Sequence, residues 1–304
     1  AVTPDYAEAH YNLGNALQAL GRLEEAEASV RQAIALKPDF AEAHSNLGVA
    51  LYKRGDLNAS VDSHKQALRL KPDFAEAYSN LLFCMINNPT ENHQSILQSH
   101  CLFAERFEKP LQKTWPKHTN LADPNRCLNV GFVSADFKVH PVADFFEATL
   151  QIVSRLPNYE LHGYHNLALE DNRTLEIKKH FAHWHPVKHL TDEQLSAKII
   201  RDNIDILIDL SGHTAGNRLL TFARKPAPVQ ATWIGYPGTT GLKSMDYFIG
   251  TSFGLPFGQL DDNFSEKIVG LPFSTTYSPN VEFPLVNRLP ALSNGYVTFG
   301  SFCR

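Results

Sequence analysis

The sequence lacks any block of lysine or arginine. Its 28 basic residues are outnumbered by 32 acidic ones, for a net charge of −4. That removes the electrostatic footprint of a nucleic-acid binder, and no aromatic-plus-basic interleaving suggests a grip on single strands. No stretch approaches the roughly 20 apolar residues of a membrane span, and no basic segment followed by an apolar one opens the chain. Neither nucleic acid nor membrane is expected as a partner, and the cytoplasm is the expected compartment. Cysteine is sparse: Cys84, Cys101, Cys127 and Cys303 stand far apart with no CxxC spacing, a pattern of reduced thiols rather than of a disulfide framework or a zinc site. The chain has 304 residues, 43% hydrophobic and 20% charged, enough for about two ordinary domains.

What is present begins with a repeat. PDYAEAHYNLGNAL starts at Pro4, PDFAEAHSNLGVAL at Pro38 and PDFAEAYSNLLFCM at Pro72, a step of 34 residues each time. This is the tetratricopeptide period, a helix-turn-helix unit that stacks into a superhelix. In each of the first two units a glycine (Gly21, Gly55) ends the first helix, and a small residue (Ala26, Ser60) marks close packing of the second. The third unit departs, with Leu82 where Gly14 and Gly48 stand earlier and Asn88-Pro89 at the turn, so the solenoid is expected to end near residue 90. The first unit has no capping character, and an upstream continuation is expected. Residues 91–126 read as a capping helix (helical spacing over 91–112) and a polar linker (113–126).

From residue 127 the periodicity changes. LNVGFVSADF, YELHGYH (159–165), IDILIDL (204–210), VQATWIG (229–235) and MDYFIG (245–250) read as strands. Helical patterns fall at 142–154, 172–182 and 191–202. The alternation predicts a parallel sheet covered on both faces, a Rossmann-like lobe over 127–290. Ligands of such sheets bind beyond the strand C-termini. Three polar segments fall there: Ser134 to Pro141 with Asp136 and His140, Ser211 to Asn217 with His213, and the glycine-rich Tyr236 to Gly241.

These segments, GFVSADFKVHP, DILIDLSGHTAGNR and KPAPVQATWIGYPGTTGLKSMDY, in this order after the repeats, resemble the O-GlcNAc transferase/SPINDLY family, glycosyltransferase family 41. The resemblance covers essentially the whole chain. It implies a two-lobed GT-B enzyme that moves a sugar from a nucleotide donor to Ser or Thr of proteins, with inversion and without metal or other cofactor. Residues 291–304, with LSNGYVTFGSF, resemble the entry to the second, nucleotide-sugar lobe, so a chain lacking most of the donor site is expected. The resemblance assigns His140, the family's HP histidine, and His213 of its GHT motif to the catalytic site; Asp136 joins them as a candidate by its place after the first strand, where it either orients a neighbour or simply ends the strand. Gly235, Tyr236, Pro237, Gly238 and Thr239 are assigned to the sugar and diphosphate loop. Asn12, Asn46 and Asn80, at one offset in each repeat, correspond to a ladder that holds acceptor peptides in the repeat groove. Asparagine is a poor helix former, so its recurrence wants a reason. The expected activity is GlcNAc transfer from UDP-GlcNAc, with O-fucosyl transfer from GDP-fucose or a non-catalytic scaffold as the alternatives. The cluster His180, His183, His185 and His189 is interrupted by Pro186 and lacks regular ligand spacing, so no metal is expected there.

Overall fold

A computed structural model describes residues 6–123, 125–252, 258–272 and 287–300. Residues 273–286 of the expected lobe and the last residues of the expected second-lobe entry, 301–304, lie outside the described residues. Six helices come first: α1 (Ala7–Ala19), α2 (Leu23–Leu36), α3 (Ala41–Arg54), α4 (Leu57–Leu70), α5 (Ala75–Ile86) and α6 (His93–Phe107). Gly55 caps α3 at φ 87° and Gly21 follows α1 at φ 75°, the left-handed conformation that glycine adopts without a Cβ clash. Within the second unit the helices touch so closely that a Cβ on Gly48 would lie 2.5 Å from the His64 ring. Ser60 Oγ donates to the Gly48 carbonyl at 2.7 Å. Leu82 forbids that approach in the third unit, and α6 takes a different course onto the following lobe.

The lobe is built from β1 (Leu128–Ser134), α7 (Pro141–Val153), β2 (Tyr159–His165), α8 (Asn172–Lys178), β3 (His183–Pro186), α9 (Asp192–Arg201), β4 (Ile206–Asp209), α10 (Leu219–Phe222), β5 (Val229–Trp233), β6 (Tyr247–Thr251) and β7 (Lys267–Leu271). A short α11 (Ala291–Asn294) stands beyond them. The seven strands run parallel in the order β3-β2-β1-β4-β5-β6-β7. Phe146, Leu150 and Ile177 of α7 and α8 cover one face of β1 and β2. Leu195, Ile199, Leu219 and Phe222 of α9 and α10 cover the other, in one buried cluster with Leu82, Phe103 and Ala104 of the last two repeat-side helices. Full burial of each such side chain contributes about 1.5–3 kcal/mol, so α5 and α6 belong to the lobe's core as much as to the solenoid.

The expected strands recur, β2 with the expected ends and the others with shifted ones. β3 and β7 were not among them, and the helix expected over 172–182 stops at Lys178, where the chain turns into β3. The expected linker is packed against the lobe: Trp115 Nε1 donates to the Ala223 carbonyl at 2.9 Å, and Asn120 and Arg126 both reach the Asp205 carboxylate, at 2.6 and 2.7 Å. The strand order reverses between β1 and β4, which opens a crevice beyond their C-terminal ends.

Glu108, at the end of α6, is 1% exposed and accepts from the backbone N–H groups of Lys243 and Ser244 at 2.9 and 2.7 Å. Leaving a buried N–H unpaired costs about 1–3 kcal/mol. Glu108→Ala is therefore expected to lower the unfolding free energy by about 3 kcal/mol in urea titrations, with Glu108→Gln losing less. A loss in the alanine variant within measurement error would contradict the tie.

Candidate active site

The loop after β1 supplies one wall. His140 is the N-cap of α7, with extended backbone, and Pro141 follows at the first helical position, where proline's missing N–H is not needed. His140 Nδ1 accepts from the Val142 N–H at 3.3 Å. The neutral ring then carries its proton on Nε2, which stands 3.8 Å from Asp136 Oδ1 on the crevice side. Lys138 Nζ lies 3.9 Å from the same oxygen. Asp136 is 7% exposed. Burial pushes its carboxyl above the ordinary range, against the opposing pull of His140 and Lys138.

The loop after β4 behaves differently. His213 is 1% exposed and both its ring nitrogens are committed, Nε2 to the Thr240 carbonyl at 2.9 Å and Nδ1 to Ser79 Oγ at 3.1 Å. A carbonyl only accepts, so Nε2 carries the hydrogen and the Ser79 hydroxyl donates to Nδ1. Burial holds the ring neutral, well below the ordinary histidine value. His213 thus bridges α5 to the loop after β5 from behind the crevice. Asp209, fully buried at the end of β4, accepts from Ser211 N, Gly212 N and the Thr232 hydroxyl at 2.7–3.1 Å. Burial nonetheless pushes its carboxyl up to about 6.

The glycine-rich loop after β5 is threaded against the helices. A Cβ on Gly235 would fall 2.0 Å from the Leu210 carbonyl oxygen, and one on Gly238 would fall 2.3 Å from Ile86. The Tyr236 hydroxyl donates to His100 Nε2 at 2.8 Å, and its ring is buried. Thr239 Oγ1 donates to Glu266 at 2.6 Å and the Thr240 N–H to the same carboxylate at 2.7 Å. Of this loop Gly235 lines the crevice and Pro237 is exposed, while the side chains of Tyr236 and Thr239 turn into the protein.

The structure therefore brings Asp136, His140 and Gly235 together around a cavity of about 540 Å³, with Lys138, Asn166 and Lys188. An adjoining cavity of about 300 Å³ is walled by Ser79, Asn80, Phe103 and Asp192. Asn166, Lys188 and the Thr214–Gly216 segment line both. Asn80 thus opens toward the crevice, whereas Asn46 donates to Asn15 Oδ1 and Asn12 is exposed far along the repeats. Asp209, Glu108 and Glu266 escaped the sequence reading: Glu108 and Glu266 serve backbone N–H groups of loops that sequence alone does not bring near, while Asp209 turns inward onto its own loop and the Thr232 hydroxyl of the next strand. No helix among the described residues is long and apolar enough to cross a membrane.

Comparison with known proteins places the chain among characterised relatives. The model of glycosyl transferase family 41 matches residues 88–277, and a tetratricopeptide repeat model matches 1–39 and 11–75. A rice protein named as a probable UDP-N-acetylglucosamine–peptide N-acetylglucosaminyltransferase SPINDLY is 37% identical over 215 residues, 68% of this chain and 22% of its own length. The Arabidopsis thaliana protein of the same name is 37% identical over 212 residues, 68% of this chain and 23% of its own. The chain thus spans under a quarter of the length of these relatives. Among solved structures, a mutant of the Thermobaculum terrenum O-GlcNAc transferase superposes with a TM-score of 0.84 at 34% identity, covering 90% of this chain and 52% of that one.

Buried neutral histidines make stability depend on acid. Burial holds His64 and His100 down to about 4, and His213 also well below its ordinary value. A histidine of depressed folded pKa stays unprotonated in the native state while the unfolded chain takes up the proton. Stability is therefore lost as pH falls through about 6.5 toward the folded value. Between about pH 7.5 and pH 5 the loss is about 2 kcal/mol for each group held near 4. Asp209, raised to about 6, opposes this by about 1 kcal/mol. Urea unfolding is expected to give a lower midpoint at the acid end, and an unchanged or higher one would contradict the assignment.

Proposed function

The chain belongs to glycosyl transferase family 41, and on that premise we propose that it forms the acceptor-guiding groove and one wall of the catalytic crevice of a protein O-glycosyltransferase. The observation that carries this reading is the pair of adjoining cavities, which share Asn166, Lys188 and Thr214–Gly216 as walls. An extended peptide lying along the repeats past Asn46 and Asn80 can deliver a Ser or Thr hydroxyl to Asp136 and His140 without leaving the surface. The relatives named for GlcNAc transfer support UDP-GlcNAc as the donor, with GDP-fucose the competing donor and a non-catalytic scaffold the competing role.

In this reading the acceptor oxygen attacks the anomeric carbon as the bond from that carbon to the diphosphate oxygen breaks. The bonding pair leaves with the diphosphate, and the hydroxyl proton passes to a base. Asp136 suits that role. Its buried carboxyl has a raised proton affinity, the direction in which a catalytic base is tuned toward neutral pH. His140, with Nδ1 engaged as a helix cap, offers Nε2–H as a donor and orients the carboxylate or the leaving oxygen. Lys138, Lys188 and the N-terminal end of α7 supply positive potential toward developing negative charge, so the proposed chemistry runs without a metal. Holding two reactants in register can itself remove about 7–11 kcal/mol of barrier, which is the part assigned to the repeat groove. His213, buried behind the crevice, acts by positioning.

Steady-state kinetics of the full-length protein with each nucleotide sugar and an acceptor peptide test this. Asp136→Asn is expected to lower kcat/KM by about 10²-fold or more, mainly through kcat, and His140→Ala to act in the same direction. Asn46→Ala with Asn80→Ala is expected to raise the peptide KM with little change in kcat. Full activity in Asp136→Asn would rule out this base. Absence of transfer from both donors would favour the scaffold.

A further inference from the structure

The four histidines of the 180–189 segment lack metal-ligand spacing in sequence, but folding brings two residues from other elements to them. In the parallel pair β2–β3, His162 lies opposite His183 and Tyr164 opposite His185, so alternate residues of both strands face α9. There His162 Nδ1 and His185 Nε2 stand 3.4 Å apart. His185 Nε2 lies 3.7 Å from Oδ2 of Asp202, the residue that closes α9. Ligand atoms of a tetrahedral ion with bonds of about 2.0–2.1 Å are separated by about 3.4 Å, so this trio needs only small shifts to converge on a shared centre.

We propose that His162, His185 and Asp202 bind one zinc-class ion that pins the edge strand β3 to β2 and to the end of α9. Two imidazoles and one carboxylate are the donor set of a borderline transition metal, whereas calcium and magnesium call for oxygen. His162 is 6% exposed, and the side chains of His185 and Asp202 retain 19% and 17% exposure, which leaves an entry path and a fourth position for water. The carboxylate is already held: the Tyr164 hydroxyl donates to Oδ2 at 2.7 Å, and Lys198 Nζ bonds both oxygens at 2.9–3.1 Å. Such outer contacts orient metal ligands, and an arriving ion would displace Lys198 from Oδ2. The strand that is pinned has only four residues, HWHP, at the margin of the sheet. It is the strand with most to gain from a cross-link. His183 takes another course, its ring tilted 30° against that of His162 with centroids 4.3 Å apart, and it bonds Glu160 at 2.5 Å.

The test is calorimetric titration of the chelator-treated chain with zinc chloride, followed by thermal melting and by cobalt(II) absorption. One equivalent is expected to bind, to raise the melting midpoint and to give the visible bands of a four-coordinate cobalt site. His185→Gln and Asp202→Asn are each expected to weaken zinc at least about tenfold and to abolish the cobalt bands, with His189→Asn as the unaffected control. Each metal-free variant must melt cooperatively; if His185→Gln does not, Asp202→Asn decides alone. Failure of zinc to bind, or binding undiminished in these variants, overturns the proposal. Loss in His183→Asn with His185→Gln intact would put the ion among Glu160, His162 and His183 and overturn the assignment.

Discussion

His213 donates to the Thr240 carbonyl and accepts from the Ser79 hydroxyl, with its ring walled by Phe103, His100 and Tyr236 at centroid distances of 4.8–5.5 Å. A single neutral imidazole therefore fixes the third repeat against the loops after β4 and β5. The ring would be costly to bury charged or half-bonded, so the joint persists only while all its partners stay in register. Around it, Tyr236 reaches His100 of α6, Gly238 presses on Ile86 of α5, and Glu108 gathers two N–H groups of the lobe. The repeats are thus not tethered to the lobe by a string. They share its core, and the groove they form opens on the crevice at a set angle.

That arrangement divides labour among polar residues that the sequence presents side by side. His213 and Tyr236 hold the joint. Asp136 and His140 remain at the open wall, the first shielded enough to raise its proton affinity and the second oriented by its bond to the helix it caps. Asp209 stiffens the turn after β4 from within the sheet, at the electrostatic cost of a fully buried carboxyl. The 34% identical transferase structure covers 90% of this chain, repeats and lobe together, while the family model matches residues 88–277.

The 34-residue period and the apolar strands were legible because each rests on local chemistry: helix spacing, glycine turns and near-continuous β-branched runs. Strand β3 was not, because HWHP is short, polar and marginal, and its histidines show no ligand spacing from which a metal would be expected. The crevice could be read from the rule that sheets bind ligands beyond their strand ends, which placed Asp136 and His140 there together with His213 and the glycine-rich loop. The inward course of His213, Tyr236 and Thr239 could not, since their partners Ser79, His100 and Glu266 stand 134, 136 and 27 residues away. Nothing local separates a histidine that faces a crevice from one that closes a joint behind it.

The most direct measurement of a continuous path from groove to crevice is photo-crosslinking of an acceptor peptide. One photoreactive residue would replace the reacting serine and another would sit several positions along the peptide. The account predicts labelling of the crevice wall around Lys138 and Lys188 from the first position, and of the repeat surface around Asn46 and Asn80 from the second, in the same complex. Labelling confined to the repeats from both positions would mean that the groove does not lead to Asp136, and would contradict it.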